Sequence, residues 1–188
     1  MDNKTLLLNI GLDFFSKLPY EAVSVQEIVS KADVTKPTLY HYFGSKLGFY
    51  QTVFEHFTKP FFEKVPELTE YHNDLTKNLN DFAVFSLEFF YKNPNTYWLI
   101  ENTTHISSSS ELYPFLKESY QPMNDAFEKL FEAATVQHGN MKGKAMLNSW
   151  MYQHATRAMI FVVLSGREPY CETLPYRTVH QFMYGIFS

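Results

Sequence analysis

Along most of the chain apolar residues recur at three- and four-residue spacing, the period of an amphipathic helix. The first such stripe holds Leu7, Ile10, Gly11, Phe14 and Phe15, predicting a helix from about Lys4 to Lys17 that ends at Leu18-Pro19. Ser24 and Glu27 then form an S-x-x-E pattern, in which the serine accepts from a first-turn N–H and the glutamate reaches back to the serine N–H. Val25, Ile28, Val29 and Ala32 continue it as a helix of about two turns. Asp33 stands where the chain must turn and tolerates left-handed backbone geometry, with Val34 as the buried pin of the turn. Thr35 caps the next helix and Pro37 falls in its first turn, where a missing N–H is harmless. Leu39 and Phe43 face inward there, leaving Lys36, Thr38, His41 and Tyr42 outside and Tyr40 at the boundary. Ser45 caps a fourth helix carrying Phe49, Tyr50, Val53, Phe54 and Phe57, which should end near Lys59-Pro60.

Two short helices joined by a tight turn, the second capped and polar on one face, are a helix-turn-helix. The run Lys36-Pro37-Thr38-Leu39-Tyr40-His41-Tyr42-Phe43, followed by Gly44-Ser45-Lys46, resembles the TetR-family DNA-binding domain in its TLYxxF-xxK core. Phe14-Phe15, Tyr20, Ser24-Val25, Ile28 and Ala32 fit the same pattern, so the resemblance covers about residues 5 to 57. Pro19 and Asp33 stand where the family usually has glycine, and Leu47-Gly48 replaces the acidic residue that usually follows the lysine.

The second half is read as helical too. Leu75, Leu79, Phe82, Phe85, Phe89 and Phe90 predict a helix to about Tyr91, and Asn93-Pro94 stops it and opens another. Ser107–Ser110 reads as a loop whose last serines cap the succeeding segment. Pro114 and Pro122 should break that segment before a helix with Met123, Phe127, Leu130 and Phe131. Two elements, about 142–165 and 174–187, close the chain. The first is apolar around much of its circumference, which predicts burial, near a chain end most naturally against a second copy. The fold class is therefore all-α: a helix-turn-helix domain over 1–48, with its motif at 24–43, and a helical domain over 49–188.

At 45% apolar and 18% aromatic residues the chain has material for a full core and no low-complexity tract. The N-terminal stretch reads as an amphipathic helix rather than a signal peptide, and no apolar run approaches a membrane span, so a cytoplasmic location is expected. One cysteine, Cys171, excludes an intramolecular disulfide. The net charge of −4 is uneven: residues 1–48 balance Asp2, Asp13, Glu21, Glu27 and Asp33 against Lys4, Lys17, Lys31, Lys36 and Lys46. A neutral module has few cations for phosphate, so weak non-specific binding and a modest salt slope are expected.

No P-loop, nucleophile elbow, dinucleotide fingerprint or paired metal-ligand histidines occur, and neither a metal nor a cofactor is expected. The residues and the resemblance together imply a homodimeric, ligand-responsive transcriptional regulator, expected to be a repressor released from a palindromic double-stranded operator by a small-molecule effector. Lys36 and Tyr42 are the candidates for base edges, Pro37 and Thr38 for a thymine methyl or phosphate, and His41 belongs to the same face. Tyr40, Lys46 and Ser24 would hold the DNA backbone, Lys46 together with the N-terminus of its helix. The effector candidates are Phe82, Phe85, Phe89, Trp98, Glu101, Trp150 and His154, aromatic and polar residues that equally suit ordinary core packing. Two other readings stay open: a helical partner-binding module that binds no DNA, and a small hydrolytic enzyme using Glu101 with His105 at i,i+4.

Overall fold

The computed structural model describes residues 2–104 and 106–185. Among these described residues are ten α-helices and two single turns of 3-10 helix, and no strand. The helices are α1 (Asn3–Phe15), α2 (Val25–Lys31), α3 (Lys36–Phe43), α4 (Lys46–Phe62), α5 (Val65–Thr69), α6 (Leu75–Lys92), α7 (Pro94–Glu101), α8 (Tyr113–Ala134), α9 (Ala145–Leu164) and α10 (Leu174–Tyr184). Two compact units result, one made of residues up to Pro60 with Asn93–Ser119, the other of Phe61–Lys92 and the chain from Tyr120 on.

Two prolines do not act as predicted. The chain stays helical through Pro60 to Phe62, and α8 is one helix of 22 residues with Pro122 inside it. Pro114, in the first turn of α8, has no helical partner to lose. Pro122 gives up one backbone bond, but Leu116 before it and Phe127, Leu130, Phe131 and Ala134 after it are all buried, so packing holds both halves in one helix. The predicted end of the last helix at Phe187 lies outside the described residues, and α10 is described to Tyr184.

In the first unit α1 packs against α2 and α7, and α2 against α3. Asp2 caps α1 by accepting from the Thr5 N–H at 2.7 Å. Gly11 is where α1 meets α4: a Cβ there would lie 2.6 Å from the Phe49 ring and 2.7 Å from Val53. Phe15, Tyr20, Phe49 and Tyr50 close the base, with Phe15 and Tyr50 edge-on at 4.8 Å. In the second unit α6, α9 and α10 pack on one another. Phe61 gathers Phe82, Phe85, Phe89 and Phe90 within 4.7–6.0 Å between ring centres. Tyr152, fully buried, donates to the Leu79 carbonyl and touches the rings of Phe82, Phe127 and Phe131.

Candidate nucleic-acid interface

The surface begins with the turn between α2 and α3. Ser24 caps α2 by accepting from the Gln26 N–H at 3.2 Å, and the Glu27 carboxylate stays in solvent, so the serine half of the predicted capping box is made. Asp33 takes the left-handed conformation, φ 51°, expected of the residue that stops α2. Val34 is half-buried rather than buried, and its N–H returns to the Val29 carbonyl at 3.0 Å. Thr35 then caps α3, accepting from the Thr38 N–H at 3.4 Å, while the two threonine hydroxyls meet at 2.9 Å.

On α3 the apolar side is narrow. Leu39 is fully buried and Phe43 nearly so, packed at 4.8 Å on the Phe49 ring. The rest of the helix is an open arc: Lys36, Pro37, His41 and the 41% exposed rings of Tyr40 and Tyr42 face solvent, with Thr38 half-buried. A recognition surface needs this division, with donors and rings outside and two large residues anchoring the helix. Gly44 (φ 74°) turns the chain, and Ser45 caps α4 by accepting from the Gly48 N–H at 2.9 Å. Gly48 is required by a close approach: a Cβ there would stand 2.2 Å from the Phe43 carbonyl oxygen. Gly48 thus lets the first turn of α4 approach the end of α3.

The cations of this region are unequally available. Asp13 accepts from Lys17 and, at 2.6 Å, from Lys31, and these two bonds, Lys17 first, hold its carboxyl below its ordinary value. Lys36 makes no ion pair among the described residues. Lys46 lies 4.4 Å over the Tyr20 ring. Burial lowers its proton affinity, while Glu21 and Glu111 act in the opposite sense. It stays at the N-terminus of α4 and half-buried.

The structure gathers Lys36, Pro37, Thr38, Tyr40, His41 and Tyr42 on one helix surface, with Ser24 at the cap of α2 and Lys46 at the start of α4. The seven effector candidates are spread out. Phe82 is buried and Phe85 and Phe89 half-buried around Phe61, in the second unit. Trp98 and Glu101 are on α7, in the first unit. Trp150 and His154 stack at 5.8 Å on an exposed side of α9. A cavity of about 390 Å³ in the second unit is floored by Leu75, Leu79, Phe131 and Phe182 and includes none of the seven. His105, the proposed partner of Glu101 in the hydrolytic reading, lies outside the described residues. No group of three metal-binding side chains, and no helix long and apolar enough to cross a membrane, occurs among the described residues. Sequence reasoning missed the place of Tyr20 under Lys46, because Tyr20 is held by Glu111, 91 residues away, and no local pattern announces such a pair.

Residues 7–57 match the family described as bacterial regulatory proteins, tetR family. No curated protein matches the chain by sequence at a significant level. Over nearly its whole length the chain shares the fold of TetR-like regulators. A TetR-like transcriptional regulator from Rhodococcus sp. RHA1 superposes with a TM-score of 0.77 at 18% identity, over 99% of this chain and 96% of that one. The transcriptional regulator FadR from Bacillus subtilis, in complex with stearoyl-CoA, gives 0.75 at 16% identity over 97% and 98%. NalD, the secondary repressor of the MexAB-OprM multidrug efflux pump in Pseudomonas aeruginosa, gives 0.67 at 13% over 97% and 94%. The chain therefore has the fold of these TetR-like regulators, and its match to the family model lies in residues 7–57.

Proposed function

We propose that the protein is a homodimeric repressor that binds a palindromic operator and is released from it by a small-molecule effector. The observation carrying this is the open arc of α3, a capped helix anchored by Leu39 and Phe43 that presents Lys36, Thr38, Tyr40, His41 and Tyr42 to solvent. In this reading α3 enters the major groove. Lys36 and Tyr42 meet base edges, Pro37 and Thr38 meet a thymine methyl or phosphate, and Ser24, Tyr40 and Lys46 hold the backbone.

Dimerisation is supported by the second unit. Met146, Leu147, Trp150 and Met151 on α9 are half-exposed or more, as are Tyr176 and Tyr184 on α10. Large apolar side chains left uncovered on two neighbouring helices fit burial against the same face of a second copy. Trp150 and His154 belong to that face in this reading. For the effector, the phenylalanines around Phe61 and the FadR complex with stearoyl-CoA favour a molecule with a long apolar part. It would act by binding more tightly to a dimer geometry whose half-site spacing fits DNA poorly.

The test is loss of operator binding without loss of the dimer. Tyr42→Ala and Lys46→Ala should each abolish a gel shift on the selected operator at a sedimentation coefficient equal to wild type. Retention of full affinity in both variants would overturn the assignment of α3 and the start of α4. Stearoyl-CoA is the first effector to titrate against the complex.

A further inference from the structure

Lys46 begins α4, and its ammonium lies 4.4 Å over the Tyr20 ring. Tyr20 is 7% exposed, with its ring edge-on to Tyr50 at 5.3 Å and stacked on Phe15 at 6.2 Å. Its hydroxyl donates to the Glu111 carboxylate at 2.6 Å. Glu111 stands just before α8, in the first unit but outside the segment 7–57 that matches the family. We propose that Tyr20 and Glu111 are positioning residues for operator binding: the ring, fixed by the carboxylate, holds Lys46 ready for a DNA phosphate that neither residue touches. This rests on the repressor reading above, in which Lys46 holds the DNA backbone.

The way Lys46 is held sets it apart from its neighbours. Lys17 and Lys31 are paired with the Asp13 carboxylate, which takes their N–H donors and offsets their charge. An aromatic face instead attracts the cation through its quadrupole, and the ammonium keeps donors for an oxygen. Among the described residues the Lys46 ammonium makes no hydrogen bond or ion pair. The ring therefore leaves charge and donors in place while it restricts a long flexible stem. Ordering such a side chain on binding costs a factor of about 2–10 in affinity, which is avoided when the stem is placed beforehand. Glu111 fixes the ring from its hydroxyl edge, so its own charge stays one ring away from the ammonium. The Tyr20 hydroxyl keeps its proton, because burial first and the Glu111 carboxylate second raise its proton affinity. A parallel tie joins the same two segments: the Ser110 hydroxyl donates to Glu21 at 3.3 Å. Two consecutive residues ahead of α8 thus fasten the helical turn Tyr20–Ala22 that carries the ring.

A double-mutant cycle separates positioning from mere support of the fold. Operator affinity is measured by fluorescence anisotropy at low salt, where weak complexes remain measurable, for Tyr20→Leu, Lys46→Ala and the two together. At a factor of about 2–10 per half-site, Tyr20→Leu should weaken binding of a dimer by about 4- to 100-fold. In the Lys46→Ala background it should change affinity by less than about twofold, whereas a loss through damage to the fold would persist there. Glu111→Gln keeps an acceptor for the Tyr20 hydroxyl and Glu111→Ala does not, at equal charge. The alanine variant should bind more weakly than the glutamine variant, and only where Lys46 is present. In the free protein, the methylene protons of Lys46 should show an upfield ring-current shift by NMR that Tyr20→Leu removes. Equal losses from Tyr20→Leu with and without Lys46, equal affinities of the two Glu111 variants, or no ring-current shift in wild type would each overturn the proposal while operator binding stands. Absence of operator binding by wild type would overturn the repressor reading, and the proposal with it.

Discussion

In the proposed function, the salt dependence of operator binding follows from where the lysines of residues 1–48 sit. Five occur in residues 1–48, and Asp13 engages two of them, Lys17 and Lys31. Lys46 at the start of α4 remains for phosphate, the Lys36 ammonium on α3 also displaces counterions as it reaches base edges in the groove, and Lys4, in the first turn of α1, adds at most one more cation. A dimer then brings about four to six cations to the DNA, and at about 0.9 counterions displaced by each, log K falls against log salt with a slope of about −3.6 to −5.4. Raising salt from about 50 to 200 mM should weaken binding by about 10²- to 10³-fold; if all ten lysines of a dimer took part, the slope would be about −9 and the loss above 10⁵-fold. Fluorescence anisotropy of a labelled operator at four or five salt concentrations measures the slope. Lys36→Ala should flatten it by about 1.8, one contact per half-site. A wild-type slope near −9, or no change in Lys36→Ala, would refute this count of cations at the DNA.

Three further predictions concern the scaffold. Gly11→Leu places a side chain where even a Cβ would meet Phe49 and Val53 at 2.6–2.7 Å, so urea unfolding should show a loss of about 1–3 kcal/mol or more. The carboxyl of Asp13 is depressed in the fold, so its contribution is present above the unfolded pKa and lost as pH falls through the depressed value; Asp13→Asn should flatten stability against pH below about 4, measured by urea titration. Trp150→Glu puts a charge on the exposed face of α9, and analytical ultracentrifugation should find it monomeric with unchanged helical content, whereas a stable dimer would remove α9 from the interface.

Much of the helix-turn-helix was legible because its determinants are local. Thr35 caps the helix it precedes, Asp33 turns the chain where α2 stops, and Leu39 and Phe43 are four residues apart on one helix. Each is decided within a few residues, and the solvent-facing arc of α3 is the remainder. The prolines misled because a missing N–H is a local penalty, whereas the continuity of α8 through Pro122 is decided by burial on both sides of it. The effector candidates were the least legible. Phe82 and Trp150 share an aromatic character, yet one is 3% and the other 50% exposed, a difference set by which helices pack together. Long-range pairs such as Tyr20 with Glu111 leave no periodic trace at all.

The central claim is that α3 reads a two-fold symmetric sequence, and selection from a random duplex library tests it most directly. Wild-type protein and Tyr42→Ala are each carried through the selection at moderate salt. Wild type should select a palindrome with half-sites about one helical turn apart, and the variant should lose it. Absence of any enriched motif with wild-type protein, even at low salt, or the same palindrome selected by Tyr42→Ala, would contradict the claim.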